Sequence, residues 1–343
     1  MSDRAIPYSL RPNKAIDRYA FIELLSRINV FSDIRKYSYI GLGGYSLEDF
    51  KYIHAHFGIS NMISLEENEE VYKRQRFNRP LSCIDCIKKS TSQFIDEFTR
   101  SNEAIVWLDY VKPADLRKQV EEFQALINKL LPKDIIKITL NANPSSYVSS
   151  EHAETERRNL PDDDERKNQT AMRYCYNARI RKLEGMLGDL FPAAQIKSEH
   201  MTQGGFPGAI LLILKFASEQ ATKGQSISFQ PLTAFSYADG QQMLTMTGII
   251  LEKEEIEEFF EQTKINDWGI GNTNWNEPRR INVPEFTVKE RLCVDSLLPG
   301  SNAKQIQDEL EFYFGGSENK SLEMLETYAL FYRHSPFFSR VLI

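Results

Sequence analysis

YSYIGLGGYSLEDF, at residues 37–50, is the stretch that decides the fold. An apolar run with two tyrosines breaks into three glycines, Gly41, Gly43 and Gly44, and then continues in a polar-headed helical pattern. This order is typical of a strand, a tight turn and a helix. Glycines let a backbone approach a ligand without a Cβ atom in the way, and the helix N-terminus that follows presents unpaired N–H groups. By itself the turn fits a nucleotide-type pocket and a plain tight turn equally well.

The composition indicates an ordinary globular protein. The 343 residues are 41% hydrophobic and 26% charged, and this length allows one large domain or two. A net charge of −6 gives the whole molecule no bias toward polyanions. The chain begins without a signal-peptide pattern and contains no apolar run of membrane-spanning length, so we expect a cytoplasmic protein.

The cysteines do not indicate a disulfide framework or a metal site. Four are present, and only Cys83 and Cys86 have C-x-x-C spacing, with no second pair after them. We therefore interpret these two as buried structural thiols. No cluster of histidine and acidic residues has metal-ligand spacing either, so we expect no metal ion.

Strand and helix patterns alternate through the N-terminal half of the chain. Residues 13–31 have helical spacing and predict an N-terminal helix that packs on the sheet. Five strands are predicted by the runs at 37–41, 61–68, 81–87, 104–110 and 134–140, of which the second ends in carboxylates. This alternation implies right-handed crossovers and an α/β fold with a doubly wound, mostly parallel sheet. We predict an N-terminal helical region at 1–36 and a Rossmann-like domain at 37–251.

Two acidic residues lie at the ends of predicted strands, at the edge where such sheets bind ligands. Glu66 lies at the tip of the second strand and Asp109 ends the fourth. Glu66 lies a little over twenty residues beyond the glycine turn (residues 41–44), which is the place of the ribose-binding acid in dinucleotide-type folds. The alternative is an acid stabilised by the N-terminus of the next helix. We favour the ribose role because the glycine turn lies at the same edge.

The C-terminal half predicts an antiparallel end to the sheet. Residues 208–216 form a strongly apolar run that we interpret as a strand. Two further runs, 229–237 and 243–251, flank Asp239 and Gly240, which are a good signal for a hairpin turn.

Two other segments have a different character. Residues 145–169 are charged and loop-like, which predicts a solvated surface segment or, alternatively, a lid over the pocket. Residues 171–191 then return to a helical pattern. Residues 252–343 predict a mainly helical extension with a break at Leu297 to Pro299, and this extension is a candidate surface for a dimer or a partner protein.

This order of features resembles the class I S-adenosylmethionine-dependent methyltransferases over residues 14–251. More narrowly, the chain resembles a bacterial group of predicted O-methyltransferases that are often found beside anti-phage or other conflict genes. The segments that carry the narrower resemblance are YIGLGG (39–44), EDF (48–50), SLE (64–66), RQRFNRP (74–80) and WLDY (107–110). Residues 286–343 are candidates for an extension of that match.

The resemblance implies S-adenosylmethionine as the cofactor. Residues 41–44 would form the floor of its pocket, Glu66 would bind the ribose hydroxyls, and Asp109 would lie near the methionine amine and the acceptor. The implied cofactor-binding set is Gly41, Leu42, Gly43, Gly44, Glu66, Glu67, Ser90 and Asp109.

The sequence departs from the pattern of these enzymes in two places. Ser38 and Tyr39 precede Gly41 where an acidic residue is common. Lys88 and Lys89 follow the third strand where an adenine-contacting acid is common, which leaves adenine to Ser90 or to a backbone group.

Methyl transfer requires an acceptor atom held in line with the methyl group in a site that excludes water. A hydroxyl acceptor also benefits from a base within hydrogen-bond reach. Asp109 is the first candidate for that base and Tyr110 for a positioning group, with Asn141 and Asn143 as second choices.

The sequence does not identify the acceptor, and a small metabolite and a nucleic acid are the two hypotheses for it. The second class is suggested by four basic residues on one segment, which either bind phosphates or form a solvated helix face: Lys73, Arg74, Arg76 and Arg79. A different hypothesis is a sensor or scaffold module that binds S-adenosylmethionine or a nucleotide and acts through a partner protein. A dinucleotide oxidoreductase is disfavoured because Ser46 stands where the third glycine of that fingerprint belongs.

Overall fold

The structure is a computed structural model that describes residues 11–336. The first ten residues, in which the sequence predicts no signal peptide, lie outside the described part. The strands are β1 (Ser38–Gly41), β2 (Asn61–Leu65), β3 (Ile84–Ile87), β4 (Ala104–Asp109), β5 (Ile135–Asn141), β6 (Ile227–Asp239), β7 (Gln241–Glu252) and β8 (Arg279–Ile281). The helices are α1 (Pro12–Ile28), α2 (Glu48–Phe57), α3 (Glu69–Asn78), α4 (Thr91–Glu97), α5 (Leu116–Ile127), α6 (Ser150–Arg158), α7 (Ala171–Leu187), α8 (Phe206–Ala221), α9 (Ile256–Thr263), α10 (Val288–Leu297), α11 (Ala303–Leu310) and α12 (Glu318–Phe331).

The strands form one eight-stranded sheet in the order β3-β2-β1-β4-β5-β7-β6-β8. Strands β1 to β5 pair in parallel, β7 runs antiparallel to both β5 and β6, and β8 is parallel to β6. The predicted doubly wound, mostly parallel sheet with antiparallel strands at its end is therefore confirmed. Strand β6 points the same way as β5, so the carboxyl ends of β1, β2, β4, β5 and β6 lie along one edge, which we call the carboxyl edge.

Alternate residues of each strand pack on opposite faces of the sheet. In β4, Ile105 and Trp107 belong to a core shared with α1, α2 and the C-terminal helices, and we call this side the α1 face. Val106 and Leu108 belong to a core shared with α5, α7 and α8, which we call the α5 face. The period of two means that Asp109 continues the α1 series, and this decides where its carboxylate lies.

The C-terminal half contains the main errors of the sequence analysis. The apolar run at 208–216 is not a strand, because it lies inside α8, which is buried between the sheet and α5. A short run that is apolar on all sides fits a buried helix as well as a buried strand, and Pro207 in the first turn was the available helix signal. The predicted hairpin is confirmed by the pairing of Asp239 with Gln241 across Gly240.

Three smaller expectations need correction. Residues 145–169 contain helix α6, which packs through Ala153 against α7, so the segment is not simply a loop. The third strand begins at Ile84, and Cys83 and Cys86 are half-buried rather than buried. Strand β8 was not predicted, because two consecutive arginines and one isoleucine give no strand pattern.

Within the described residues 252–336, the C-terminal extension is mainly helical as predicted, and α10 ends at Leu297. Its buried residues, among them Val294, Leu325 and Phe331, share one hydrophobic cluster with α1 and the sheet. The predicted domain limits at residues 36 and 251 stay a prediction. No helix within residues 11–336 has the length and the apolar surface needed to cross a bilayer.

Candidate functional site

The glycine turn joins β1 to α2, and Gly43 and Gly44 have different roles in it. A Cβ atom on Gly43 would lie 2.8 Å from the Ser64 hydroxyl and would also overlap Leu47 and Phe50, so this glycine lets the turn pack on β2 and α2. A Cβ atom on Gly44, whose φ is 52°, would meet no other atom within 4 Å, so the outer side of this residue is open. Of the two, Gly44 is the one whose open face suits a ligand.

Glu66 directly follows β2 and is buried, with only 8% of its surface exposed. Its carboxylate accepts a hydrogen bond from the Asn68 backbone N–H at 2.8 Å. Burial raises the pKa of Glu66, and the bond from Asn68 opposes that rise. Asn68, not Glu66, caps α3, since its side chain accepts from the N–H groups of Glu70 and Val71. Glu66 is therefore not needed as the cap, and its neighbour Glu67 is exposed.

Asp109 lies at the carboxyl end of β4 on the α1 face. Its Oδ2 atom lies 3.5 Å from the Lys14 ammonium of α1. Its Oδ1 atom is buried and has no hydrogen-bond partner among the described residues. A buried carboxylate oxygen without a donor is costly, so this atom is able to accept a hydrogen bond from a group bound at this edge.

Tyr110 points to the opposite face of the sheet. Its hydroxyl donates to Glu122 of α5, and Glu122 also accepts from Ser92 near the start of α4. Burial raises the pKa of Tyr110 well above its usual value, and the negative charge of Glu122 adds to the effect. The structure does not bring Tyr110 together with Asp109, because consecutive strand residues alternate between faces.

The remaining predicted site residues have local structural roles. The Ser90 hydroxyl caps α4 by accepting from the Gln93 N–H at 3.2 Å, within a capping box. Asn141 is buried at the end of β5 and accepts from the Asn143 N–H at 3.0 Å. Asn143 donates to the Gln241 side chain at 3.0 Å. Both asparagines lie at the carboxyl edge, next to the β6–β7 hairpin.

The N-terminus of α1 covers this edge, which the sequence analysis did not foresee. The Asp239 carboxylate of the hairpin accepts from the Asn13 side chain at 2.8 Å and from the Lys14 backbone N–H at 2.7 Å. Arg11, at the N-cap position, makes no side-chain capping bond. Asp239 therefore caps α1 from a distant part of the chain and also complements the positive end of its dipole.

Two buried ion pairs anchor the same helix. The Lys137 ammonium of β5 lies 2.8 Å from Asp17, and neither side chain is more than 1% exposed. Arg18 pairs with Asp49 in the first turn of α2, with one nitrogen to oxygen distance of 3.0 Å. Burial alone would lower the pKa of Arg18, but the charge of Asp49 outweighs it and the pKa is raised.

Two tyrosines complete the polar surroundings of Asp109 on the α1 face. Tyr39 and Tyr237 are both buried in the core on this side of the sheet. Burial raises the pKa values of both phenols well above the usual value, and the charge of Asp109 adds to each rise. The site on the α1 face thus combines a carboxylate, an ammonium and two neutral phenols.

One cavity lies away from the carboxyl edge. It has a volume of about 200 Å³ and opens near the amino ends of β1, β2 and β4, between the sheet and α4, with Ser38, Asn61 and Arg100 in its wall. No group of three or more histidine, cysteine or acidic side chains within the described residues could hold a metal ion.

Comparison with known proteins adds a family and a set of distant structural neighbours. The model of a family described as Putative O-methyltransferase matches residues 6–343, which is nearly the whole chain. None of the curated proteins matches.

Three solved structures illustrate the neighbours. The plantazolicin methyltransferase BamL, in complex with a triazolic desmethylPZN analog and SAH, is 10% identical, with 71% of this chain and 88% of that chain covered and a TM-score of 0.35. The N-methyltransferase NodS from Bradyrhizobium japonicum WM9 is 11% identical, with coverage of 69% and 97% and a TM-score of 0.35. The LepI complex with SAM is 12% identical, with coverage of 66% and 46% and a TM-score of 0.35.

Proposed function

The chain belongs to the family of putative O-methyltransferases, and from this premise we propose that it transfers the methyl group of S-adenosylmethionine to an oxygen atom of its acceptor. The observation that carries the proposal is the buried, unpartnered Oδ1 atom of Asp109 at the carboxyl edge. It lies on the same edge as Gly44 and Glu66, where parallel sheets bind ligands.

The residues at this edge fit the cofactor. The open side of Gly44 and the rest of the glycine turn would lie against its nucleoside and methionine parts. Glu66 has one carboxylate oxygen held by Asn68 and a second that would accept hydrogen bonds from a ribose diol. The Oδ1 atom of Asp109 would accept from an ammonium group such as the methionine amine. Glu67 and Ser90, which the resemblance also implies, would contribute from the rim, Ser90 mainly by holding α4 in place.

When bound, S-adenosylmethionine supplies an electrophilic methyl group on a sulfonium. The chain then has to orient the acceptor and exclude water. The first turns of α1 close the site from the α1 face, held there by Asp239 and by the two buried ion pairs. Asp109 can accept a hydrogen bond through Oδ1 without giving up its contact with Lys14. We propose that it receives the acceptor proton through this atom or binds the cofactor amine with it.

The structure revises the proposed role of Tyr110. Its hydroxyl is engaged by Glu122 on the α5 face, so we assign it to the wall that supports α4 and α5. Tyr237, on the α1 face close to Asp109, is the better candidate for positioning an acceptor hydroxyl. Its side chain is buried, and the structure holds it neutral, which suits a hydrogen-bond donor.

Calorimetric titration of S-adenosylmethionine into the wild type and into Glu66→Ala and Asp109→Asn tests the cofactor site. Loss of one hydrogen bond to a charged group predicts weaker binding by about tenfold in either variant. Glu257→Ala, an exposed acid on α9, is the matched control and should bind like the wild type. No heat from the wild type would refute the cofactor assignment.

Incubation with radiolabelled S-adenosylmethionine and cell extracts then tests the reaction. Release of the label as methanol in alkali, or mass spectrometry that places the methyl group on an oxygen atom of the acceptor, would support O-methylation. Cofactor binding without any transfer would favour the sensor or scaffold alternative.

On the family resemblance alone, we further propose a role in bacterial anti-phage defence. The segments at residues 74–80 and 107–110 support that resemblance. Plaque counts on host cells that carry the wild type or Asp109→Asn provide the test, and equal counts with and without the wild type would count against it.

A further inference from the structure

The outward side of α3 concentrates positive charge beside the candidate site. It carries Lys73, Arg74, Arg76 and Arg79, all exposed, together with Phe77, whose side chain is 90% exposed. We call these five residues the α3 surface. The chain as a whole carries a net charge of −6, so this surface differs in sign from the average of the molecule.

The two acidic residues in the first turn of α3, Glu69 and Glu70, are paired with lysines. Lys73 lies 2.8 Å from Glu70 and 3.8 Å from Glu69, and Glu69 is also paired with Lys88. Within residues 11–336, no carboxylate lies within 4.0 Å of the guanidinium of Arg74 or Arg76. These two cations are therefore available for an external anion.

Aromatic rings accompany the free cations. The Arg74 guanidinium lies 4.2 Å from the centre of the Tyr45 ring, and that of Arg76 lies 5.9 Å from the Tyr72 ring. A single exposed phenylalanine needs no explanation by itself, but Phe77 lies between two of the arginines in sequence. One guanidinium group can donate two parallel hydrogen bonds to the oxygens of a phosphate, and exposed aromatic rings stack on unpaired bases.

The α3 surface is attached to the glycine turn. The Asn78 side chain donates to the Tyr45 carbonyl at 2.9 Å, and Tyr45 directly follows Gly44. Helix α3 begins three residues after Glu66. A chain bound along α3 would therefore end close to the proposed cofactor.

We propose that the α3 surface binds single-stranded nucleic acid, with Arg74 and Arg76 on phosphates and Phe77 stacked on a base. This proposal rests on the proposed methyltransferase function, and it names nucleic acid as the class of acceptor. A duplex would bind more weakly, because its bases are stacked on each other and offer Phe77 no face.

Fluorescence polarisation measures this binding with fluorescein-labelled single strands of RNA and of DNA, each about 20 nucleotides long. The double variant Arg74→Gln/Arg76→Gln should lower the slope of log affinity against log salt by about 1.4, at about 0.7 for each phosphate contact on a single strand. Phe77→Ala should weaken binding by about tenfold, as expected for the loss of one stacked base.

The matched control is Lys289→Gln/Lys320→Gln, which removes two exposed charges from α10 and α12 at the other end of the sheet. It should leave affinity and salt slope unchanged. All substituted side chains are exposed, and titration of S-adenosylmethionine into each variant checks that the proposed site is intact.

Several results would overturn the proposal. One is a wild type that fails to bind at about 50 mM salt, and another is a control variant that loses as much affinity as the arginine variant. An unchanged affinity in Phe77→Ala, or equal affinity for a duplex of the same sequence, would overturn it as well. A wild-type dimer that Phe77→Ala converts to a monomer would also overturn it, because a second copy would then cover the surface. If the wild type binds S-adenosylmethionine but no nucleic acid, only the nucleic-acid proposal is refuted. If it binds nucleic acid but no S-adenosylmethionine, the cofactor assignment is refuted. Comparison of the affinities for the RNA and the DNA strand shows which kind of nucleic acid the surface prefers.

Discussion

Replacement of Lys137 by methionine tests whether a buried ion pair holds α1 on the carboxyl edge. The Lys137 ammonium lies 2.8 Å from Asp17, and the two side chains are 1% and 0% exposed. Methionine has a similar length and fills the same space, but it leaves the Asp17 carboxylate buried without a counter-charge. Removal of one partner from a buried pair costs about 3–5 kcal/mol, so we expect the free energy of unfolding to fall by that amount.

Two aromatic rings beside the Lys137 ammonium make a smaller contribution to the free energy of unfolding. The ammonium also lies 4.9 Å from the Trp107 ring and 5.0 Å from the Phe21 ring. A cation over an aromatic face contributes about 0.5–2 kcal/mol, which Lys137→Met also removes. The double variant Asp17→Leu/Lys137→Met removes both charges, and we expect it to recover most of the loss, because two apolar groups of similar volume are tolerated in a core.

Urea denaturation followed by tryptophan fluorescence measures these changes, and Trp107 reports directly from the site of the pair. Lys36→Met is the control, since its pair with Asp33 joins side chains that are 77% and 32% exposed, and it should not change stability measurably. The reasoning is refuted if Lys137→Met costs less than about 1 kcal/mol, or if the double variant is no more stable than the single one.

Three further predictions follow from the same geometry. Asp239→Ala removes the cap that the hairpin supplies to α1 and should lower the free energy of unfolding by about 1 kcal/mol, and an unchanged denaturation midpoint would contradict it. Gly43→Ala places a methyl group against Ser64 and should lower the free energy of unfolding by about 1–3 kcal/mol. Gly44→Ala should lower it only by the strain of the positive φ, about 1 kcal/mol, and should also weaken cofactor binding. Denaturation measures the stability and calorimetry the binding, and equal destabilisation by the two variants would count against the packing argument. Burial raises the pKa of Asp134 to about 6, so the folded protein holds this proton more tightly than the unfolded chain, and stability should fall by about 3 kcal/mol as the pH rises from about 4 to about 6. Asp134→Asn should flatten that part of the stability curve, and a curve of unchanged slope would show that another group is responsible.

The sequence was sufficient for the parallel part of the sheet. Each strand there is a short apolar run that ends in turn residues, and local pattern carries this information. The hydrophobic pattern led to the prediction of a strand where α8 lies, because an apolar run that is buried on all sides shows no helical period. It also missed β8, whose three residues are held by pairing with β6 and not by their own preferences.

The candidate site was only partly readable. Glu66 and Asp109 are found at the carboxyl edge because each directly follows or ends a strand, and strand ends are visible in sequence. Tyr110 follows Asp109 in the chain, yet its hydroxyl reaches Glu122 on the other face. The alternation along β4 would have shown this separation, since Ile105 and Trp107 already mark the face that Asp109 shares.

By itself, the sequence determined the order of strands and helices, the glycine turn and the two acids at the ends of β2 and β4. Only the tertiary structure decided that α1 covers the carboxyl edge, because the groups that hold this helix are far apart in the chain. Asp17 and Lys137 are 120 residues apart, and Lys14 and Asp239 are 225 apart. Contacts of such separation depend on which faces the folded sheet brings together, and no local pattern of charge or hydrophobicity specifies them.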